Sequence, residues 1–227
     1  FIDAHSHSDI NLLLDPGAPG KIAQGITTEV IGNCGASAAP RFGHRRLPLD
    51  WEALPLHQRW RSMADYLRML EDGQPAVNVV ALVGHNALRG CVAGYDGRPL
   101  TVEQTASLLR AAETALDEGA AGISFGLAYS PGMFAPPEEL RAVAAVAARR
   151  DAVVTVHMRS EGDALLESIE EMLDIARATG VRLQISHLKT SGPRNWPKLD
   201  DALAMIERAR AEGVRVAADR YPYTASA

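Results

Sequence analysis

Cysteine and aromatic side chains are scarce in this 227-residue sequence, which has two Cys and only 5% Phe, Trp and Tyr together. Two cysteines, Cys34 and Cys91, cannot build a disulfide framework, so each reads as a free thiol or a ligand in a reducing, cytoplasmic setting. Long apolar runs are also missing: none approaches the roughly 20 residues that span a bilayer. The opening Phe1-Ile2-Asp3-Ala4-His5 has neither the charged start nor the apolar centre of a signal peptide. Positive charge is in deficit, with 23 Lys plus Arg against 28 Asp plus Glu and a formal net charge of −5. That balance gives no general attraction to phosphate backbones or anionic membranes, so neither a nucleic-acid partner nor a membrane partner is expected. The first residue is not Met, and the sequence is expected to be an excerpt of a longer chain.

What is present suits a globular domain with a real core: 47% of residues are hydrophobic and 22% charged,. Seven strand-like runs cover Phe1 to His7, Thr27 to Asn33, Ala76 to Gly84, Gly122 to Tyr129, Val153 to Arg159, Arg182 to Lys189 and Val214 to Tyr223. Most are near-continuously apolar, the pattern of strands covered on both faces in a parallel sheet. Helical patterns lie between them: Thr101 to Glu118, Pro136 to about Arg150, Ala164 to Ala178 before Gly180, and Trp196 to Ala211 before Gly213. The last three units repeat at about 30 residues, the size of a βα unit.

Alternating strands and helices mean a parallel sheet, either open or closed into a barrel. Polar residues decide between the two. His7, Asn33, His157, His187 and Tyr221 fall at or near the C-terminal ends of different strands, and only closure gathers many strand ends around one centre. The sequence therefore predicts an α/β fold, a TIM-type (β/α)8 barrel that is incomplete at about seven strands. One segment, Gly35 to roughly Arg61, is too long for an ordinary βα loop and reads as an insertion covering a site. No linker divides the chain, so residues 1–227 are expected to form a single partial domain.

The sharpest chemical signal is Asp3-Ala4-His5-Ser6-His7-Ser8-Asp9. Residues two apart on a strand point to one side, so His5 and His7 would present two imidazoles together, a half-site for zinc; two loop histidines tied by hydrogen bonds are the alternative. Cys34, between Asn33 and Gly35 after the second strand, is either a small buried filler or a thiolate ligand. His157 and His187 hold equivalent places at the ends of consecutive strands. Such matched histidines, added to the HxH, favour a metal centre over separate core histidines.

These residues carry a family resemblance. An HxH after the first strand with single histidines ending the fifth and sixth resembles the amidohydrolase superfamily. Gly32-Asn33-Cys34-Gly35, Gly84-His85-Asn86-Ala87-Leu88-Arg89, His157-Met158-Arg159-Ser160-Glu161 and Asp219-Arg220-Tyr221-Pro222-Tyr223 are similar to its D-aminoacylase (N-acyl-D-amino-acid deacylase) branch. The resemblance implies a tightly bound zinc (Zn2+) on Cys34, His157 and His187, and a second, weaker metal position faced by His5 and His7 that Cys34 can bridge. It implies hydrolysis of a small-molecule N-acyl-D-amino acid by metal-activated water, with Tyr221 and Ser226 binding the substrate carboxylate. It also implies an eighth strand ending in a general-base aspartate beyond Ala227 and a flanking small β domain, both parts of the protein's own chain outside this sequence. Without them the excerpt is expected to be inactive. Neither Asp219 nor Glu161 occupies the position of that base.

Weaker assignments complete the list. His85 could contact substrate or cap a loop; Arg159 and Lys189 could neutralise a substrate carboxylate or be ion-paired or solvated. His44 and His57 read as exposed and Cys91 as a buried thiol, while Asp3 and Asp9 could orient the HxH imidazoles. Two other functions stay open: a cyclic amide or ureide hydrolase of the hydantoinase or dihydroorotase kind, and a catalytically inert metal-binding fragment. The first is disfavoured because its relatives use a carboxylated lysine on the fourth strand, and Gly122 to Tyr129 contains none.

Overall fold

The strands follow one another around a single sheet in the order β1 to β7, every neighbouring pair parallel. They are β1 (Ile2–Asp3), β2 (Thr28–Ile31), β3 (Asn78–Gly84), β4 (Gly122–Gly126), β5 (Val153–His157), β6 (Arg182–Ile185) and β7 (Val216–Ala218). The computed structural model describes residues 1–47, 49–52 and 60–225, with 49 and 50 described in backbone only. Each strand falls inside one of the expected runs, and β4 is buried at every residue, as expected of strands covered on both faces.

The sheet curls. In a flat sheet the ends of β1 and β6 would lie about 24 Å apart, five strand spacings of about 4.8 Å. Instead the rings of His5, just after β1, and His187, just after β6, have centroids 4.9 Å apart. The result is an incomplete TIM-type barrel whose C-terminal strand ends face one centre.

Helices cover the outside: α1 (Asn11–Leu14), α2 (Pro19–Ile22), α3 (Leu49–Glu52), α4 (Met63–Gly73), α5 (His85–Ala93), α6 (Val102–Asp117), α7 (Pro137–Arg149), α8 (Leu165–Thr179) and α9 (Leu199–Ala211). Sequence-local chemistry sets several of their ends. Ser62 with Asp65 and Thr101 with Gln104 form capping boxes that satisfy the first free N–H groups of α4 and α6,. Gly180, at φ 69°, ends α8,. The helix expected from Trp196 begins instead as a 3-10 turn over Pro193–Lys198, with Pro197 inside it, and becomes α-helical only at Leu199. Proline lacks the N–H that an α-helical turn needs there.

The core lies between these helices and the sheet, where Leu108, Val143, Ile169 and Leu173 meet Ile123, Val154 and Ile185, all fully or almost fully buried. The two ends of the inserted segment are fastened together. The Trp60 Nε1–H donates to the Ala38 carbonyl at 3.0 Å, and the Arg41 N–H to that of Arg61 at 2.7 Å. His44 is exposed and Cys91 is 1% exposed; His57 lies outside the described residues. Among the described residues no helix is long and apolar enough to cross a membrane.

Candidate metal centre

The Cys34 loop is held by backbone packing that only small residues permit. Gly35 sits at φ +76°, where a Cβ would fall 2.3 Å from Asn86 Oδ1 and 2.7 Å from the Gly126 nitrogen. On the opposite side, a Cβ on Gly126 would lie 2.0 Å from the Cys34 carbonyl oxygen. Ser124 of β4 clamps the loop from within, its Oγ accepting from the Gly35 N–H at 3.0 Å and donating to the Gly32 carbonyl. Asp9 accepts from the Gly32 and Ala38 N–H groups at 3.2 and 3.1 Å. Burial raises its carboxyl pKa to about 6, although those N–H groups pull the other way. These contacts fix the Cys34 backbone at φ 53° and aim its thiol at the barrel axis.

His5 and His7 follow β1 rather than lying on it, since strand pairing stops at Asp3; the Ser6 N–H still reaches the Val30 carbonyl at 2.9 Å. The two histidines part company. His5 Nε2 is 3.3 Å from Cys34 Sγ, whereas His7 is exposed and its ring centroid lies 5.3 Å from that of His5. His157 ends β5, and its Nδ1 is 2.9 Å from His187 Nε2, which is 3.7 Å from Cys34 Sγ. His187 has a positive φ of 39°.

Two overlapping triangles of donors result, His5 with Cys34 and His187, and His157 with Glu161 and His187, each with ligand atoms within 4.8 Å of one another. The donor set fits zinc. Four ligands at about 2.0–2.3 Å in a tetrahedron lie about 3.3–3.7 Å apart, close to the separations from Cys34 Sγ to His5 and His187. His5 Nδ1 is buried without a hydrogen-bond partner, its nearest carboxylate oxygen being Asp219 Oδ1 at 3.7 Å.

Burial lowers the pKa of both His5 and His157 to about 4, so both are neutral near pH 7, the form that ligates metal,. His7, at the open edge of the cluster, is also lowered, chiefly by partial desolvation beside its neighbours. Burial, followed by the nearby Glu161 and Asp219 carboxylates, pushes the Cys34 thiol up to about 12. A thiol so placed ionises only with help from added positive charge, which a divalent cation supplies. Burial also opposes ionisation of Glu161, but the close approach of His187 and Lys189 prevails and holds it at about 2.

A cavity of about 1090 Å3 opens over this cluster. His5, His7, Cys34, His157, Glu161 and His187 line it, with Tyr129, Lys189 and Tyr221 contributed by the rim. Arg45, Arg46, Leu47 and Trp51 form another wall. Lys189 Nζ is 5.4 Å from the Tyr221 ring centre, and Arg220 packs on that ring at 4.4 Å.

Other expected residues lie elsewhere. His85 is fully buried at the start of α5, its Nε2 2.8 Å from Glu139 Oε1. It is structural and does not line the cavity, because Glu139 of α7 draws it inward together with Arg89. The Arg159 guanidinium is taken up by Glu171 at 2.9 Å and by the Met133 and Ala135 carbonyls, which leaves the ion-paired alternative in place of a substrate contact. Asp3 accepts from the backbone N–H of His5 at 3.1 Å, and Asp9 holds the Cys34 loop, so neither orients an imidazole. Ser226 lies outside the described residues. Sequence reasoning missed Glu161 as a member of the cluster and undervalued Lys189. The available signal was position: Glu161 stands four residues past His157, Lys189 two past His187, and Asp219 directly after β7, all on the rim that collects strand ends.

Known proteins share this architecture. The chain is 43% identical over 227 residues to the N-acyl-D-glutamate deacylase of Alcaligenes xylosoxydans xylosoxydans, and 40% identical over 229 residues to the N-acyl-D-aspartate deacylase of the same organism. In both cases the alignment covers 100% of this chain and 46% of the relative, so the chain spans about half the length of these proteins. The crystal structure of N-acyl-D-glutamate deacylase from Bordetella bronchiseptica, complexed with zinc and a phosphonate inhibitor that mimics the tetrahedral reaction intermediate, superposes with a TM-score of 0.88 at 40% identity. That superposition covers 98% of this chain and 47% of the other. The pattern of the amidohydrolase family matches residues 1–226, and with the strand-end histidines and Cys34 gathered at the centre of a partial barrel, this chain belongs to that family.

Proposed function

We propose that the protein carrying this chain hydrolyses the amide bond of N-acyl-D-amino acids, giving a carboxylate and a free D-amino acid. In this proposal residues 1–227 form one partial catalytic barrel domain, interrupted by the inserted segment at about 35–61. The observation that carries it is the convergence of His5, Cys34, His157 and His187 from four separate strand ends onto one cavity floor. The two deacylases similar to the chain support the substrate class, and the zinc of the Bordetella enzyme supports the metal.

Cys34, His157 and His187 would hold the tightly bound zinc, and His5 and His7 would face a second, weaker position that shares Cys34. When bound, zinc lowers the pKa of a water towards about 7 and polarises an amide carbonyl. The chain's own residues bind and orient. The ammonium of Lys189 and the ring and hydroxyl of Tyr221 form the wall that receives the substrate carboxylate, with Ser226 following in sequence. Leu47, Trp51 and Tyr129 offer apolar surface for the acyl group or side chain. Glu161 is occupied by His187 and Lys189, and Asp219 by the His187 N–H and Gln184. Proton transfer to the leaving amine is therefore not assigned to either of these carboxylates. Free thiols at Cys34 and Cys91 support a reducing, cytoplasmic location.

Metal analysis of the full-length protein and its Cys34→Ala variant tests the proposal directly. The parent should hold at least one zinc per chain and the variant should lose it; equal zinc in both sinks the Cys34 assignment. Digestion of a racemic N-acetyl amino acid to completion should leave the L form.

A further inference from the structure

Resting on the amide hydrolysis proposed above, we propose that Tyr129 is a catalytic residue: its phenol O–H donates a hydrogen bond to the oxygen of the scissile carbonyl as that oxygen gathers negative charge.

The backbone of Tyr129, just past the end of β4, is tied on both sides. Its N–H donates to the Gly126 carbonyl at 3.3 Å, and its carbonyl accepts from the Met133 N–H at 2.8 Å and from Asn86 Nδ2 at 3.3 Å. The Leu127 N–H reaches the His157 carbonyl at 2.9 Å, which couples this turn to β5. The side chain is half exposed and leans on His157, with ring centroids 4.7 Å apart and planes at 52°. A donor fixed in advance needs no reorganisation when the reaction occurs.

The hydroxyl faces the cluster without being spent on it. Tyr129 Oη lies 3.4 Å from His157 Nδ1, and among the described residues it has no other hydrogen-bond partner. A phenol, with a pKa of about 10, keeps its proton near neutral pH. A neutral imidazole that ligates a metal has one bare nitrogen, which takes the ion, and one N–H. If Nδ1 of His157 is the ligating atom, its lone pair is used and it accepts nothing from Tyr129. If Nδ1 carries the proton, it donates to the phenol oxygen. Both arrangements leave the phenol proton to point at whatever occupies the cavity.

Sheet order gives that proton its target. Lys189 and Tyr221, the proposed carboxylate wall, follow β6 and β7, whereas Tyr129 follows β4, with His157 and His187 at the strand ends between them. A substrate anchored by its carboxylate at Lys189 and Tyr221 extends across the histidines towards β4, and its acyl carbonyl arrives on the Tyr129 side. Neighbouring donors there are already committed, Asn86 Nδ2 to the Gly126 and Tyr129 carbonyls and the Ser130 hydroxyl to that of Tyr95.

The test uses the full-length protein. Tyr129→Phe keeps the ring and removes only the hydroxyl. It should lower kcat for an N-acetyl-D-amino acid about 100–1000-fold, the loss that follows removal of one donor to a developing oxyanion, with KM within about threefold of the parent. Calorimetric titration with a phosphonate analogue, whose tetrahedral phosphorus replaces the scissile carbonyl, should show affinity reduced by the same order. Zinc affinity, measured by competition against a chromophoric chelator, should be unchanged. Four results overturn the inference: kcat within about threefold of the parent, a raised KM at unchanged kcat, phosphonate affinity equal to the parent's, or zinc affinity falling with kcat, which makes Tyr129 a positioning residue for His157. A parent that does not hydrolyse the substrate overturns the proposed hydrolysis itself; an active parent matched by its variant overturns only the role of Tyr129.

Discussion

Cys34 and His187, the donors contributed after β2 and β6, both have left-handed backbones, at φ 53° and 39°, and their Sγ and Nε2 atoms stand 3.7 Å apart. Left-handed geometry costs an L-residue about 1–2 kcal/mol, and it persists only where surrounding structure over-determines it. Here the surroundings are the glycine packing and the Ser124 clamp at Cys34, and the Asp219 bond to the His187 N–H. The fold thereby holds the donors of the proposed site against their local preference.

That strain separates two variants that both lack the thiol. Cys34→Gly should be more stable than Cys34→Ala by about 1 kcal/mol, because glycine alone adopts positive φ without penalty. Urea unfolding of the zinc-free proteins measures the difference, and an alanine variant of equal or greater stability contradicts the strain argument.

The packing beneath the cysteine loop makes Gly35→Ala costly. Its Cβ would enter within 2.3 Å of Asn86 Oδ1 at φ +76°, and strain plus overpacking should remove about 2–4 kcal/mol. Gly20→Ala in α2 serves as the control. Nothing lies within 4 Å of its Cβ and it has no positive φ, so it should leave stability unchanged or raise it by up to about 1 kcal/mol. Paired denaturation curves decide the matter.

Glu139 joins α7 to α5 by accepting from both His85 and Arg89, whose side chains are 0% and 1% exposed. Glu139→Ala should cost about 3–5 kcal/mol, because it leaves a buried guanidinium uncompensated. The double variant Glu139→Leu with Arg89→Met should be more stable than Glu139→Ala alone. A thermal melt of the three proteins would expose a merely additive loss, which is the contrary outcome.

Zinc should stabilise the full-length protein by mass action. At a free concentration about 100 times Kd the gain is about 2.7 kcal/mol, visible as a raised Tm that chelator reverses. In Cys34→Ala the rise should vanish; a rise of equal size there would place the ion elsewhere.

Much of this was legible in the sequence because it depended on local rules. All seven strands fall within apolar runs, and α6, α7 and α8 match their expected spans closely, since periodicity and end signals are read within a few turns of chain. Helix α5 escaped notice for the converse reason: His85 through Cys91 are all buried, so it shows no polar face and its motif resembles a loop. Capping at Ser62 and Asp65 announced α4, but the signal lay hidden at the end of the inserted segment. Within the site, His5, Cys34, His157 and His187 were found by residue type at strand ends. Glu161 and Lys189 were not given their places, because their close contacts with His187 exist only once β5 and β6 stand side by side, and the surroundings of His85 were not legible because its partner, Glu139, is distant in sequence.

The order of the sheet also says when the site can come into being. Neighbouring strands are consecutive in the chain, so pairing can spread by short steps, each closing a modest loop. The donors are separated far more widely: Cys34 and His187 are 153 residues apart. They meet only after the intervening strands have assembled and curved. Metal uptake at the proposed site would therefore come late in folding, since an ion arriving earlier would find isolated side chains in place of a cluster. A metal bound there would lock a finished architecture and have no part in starting it.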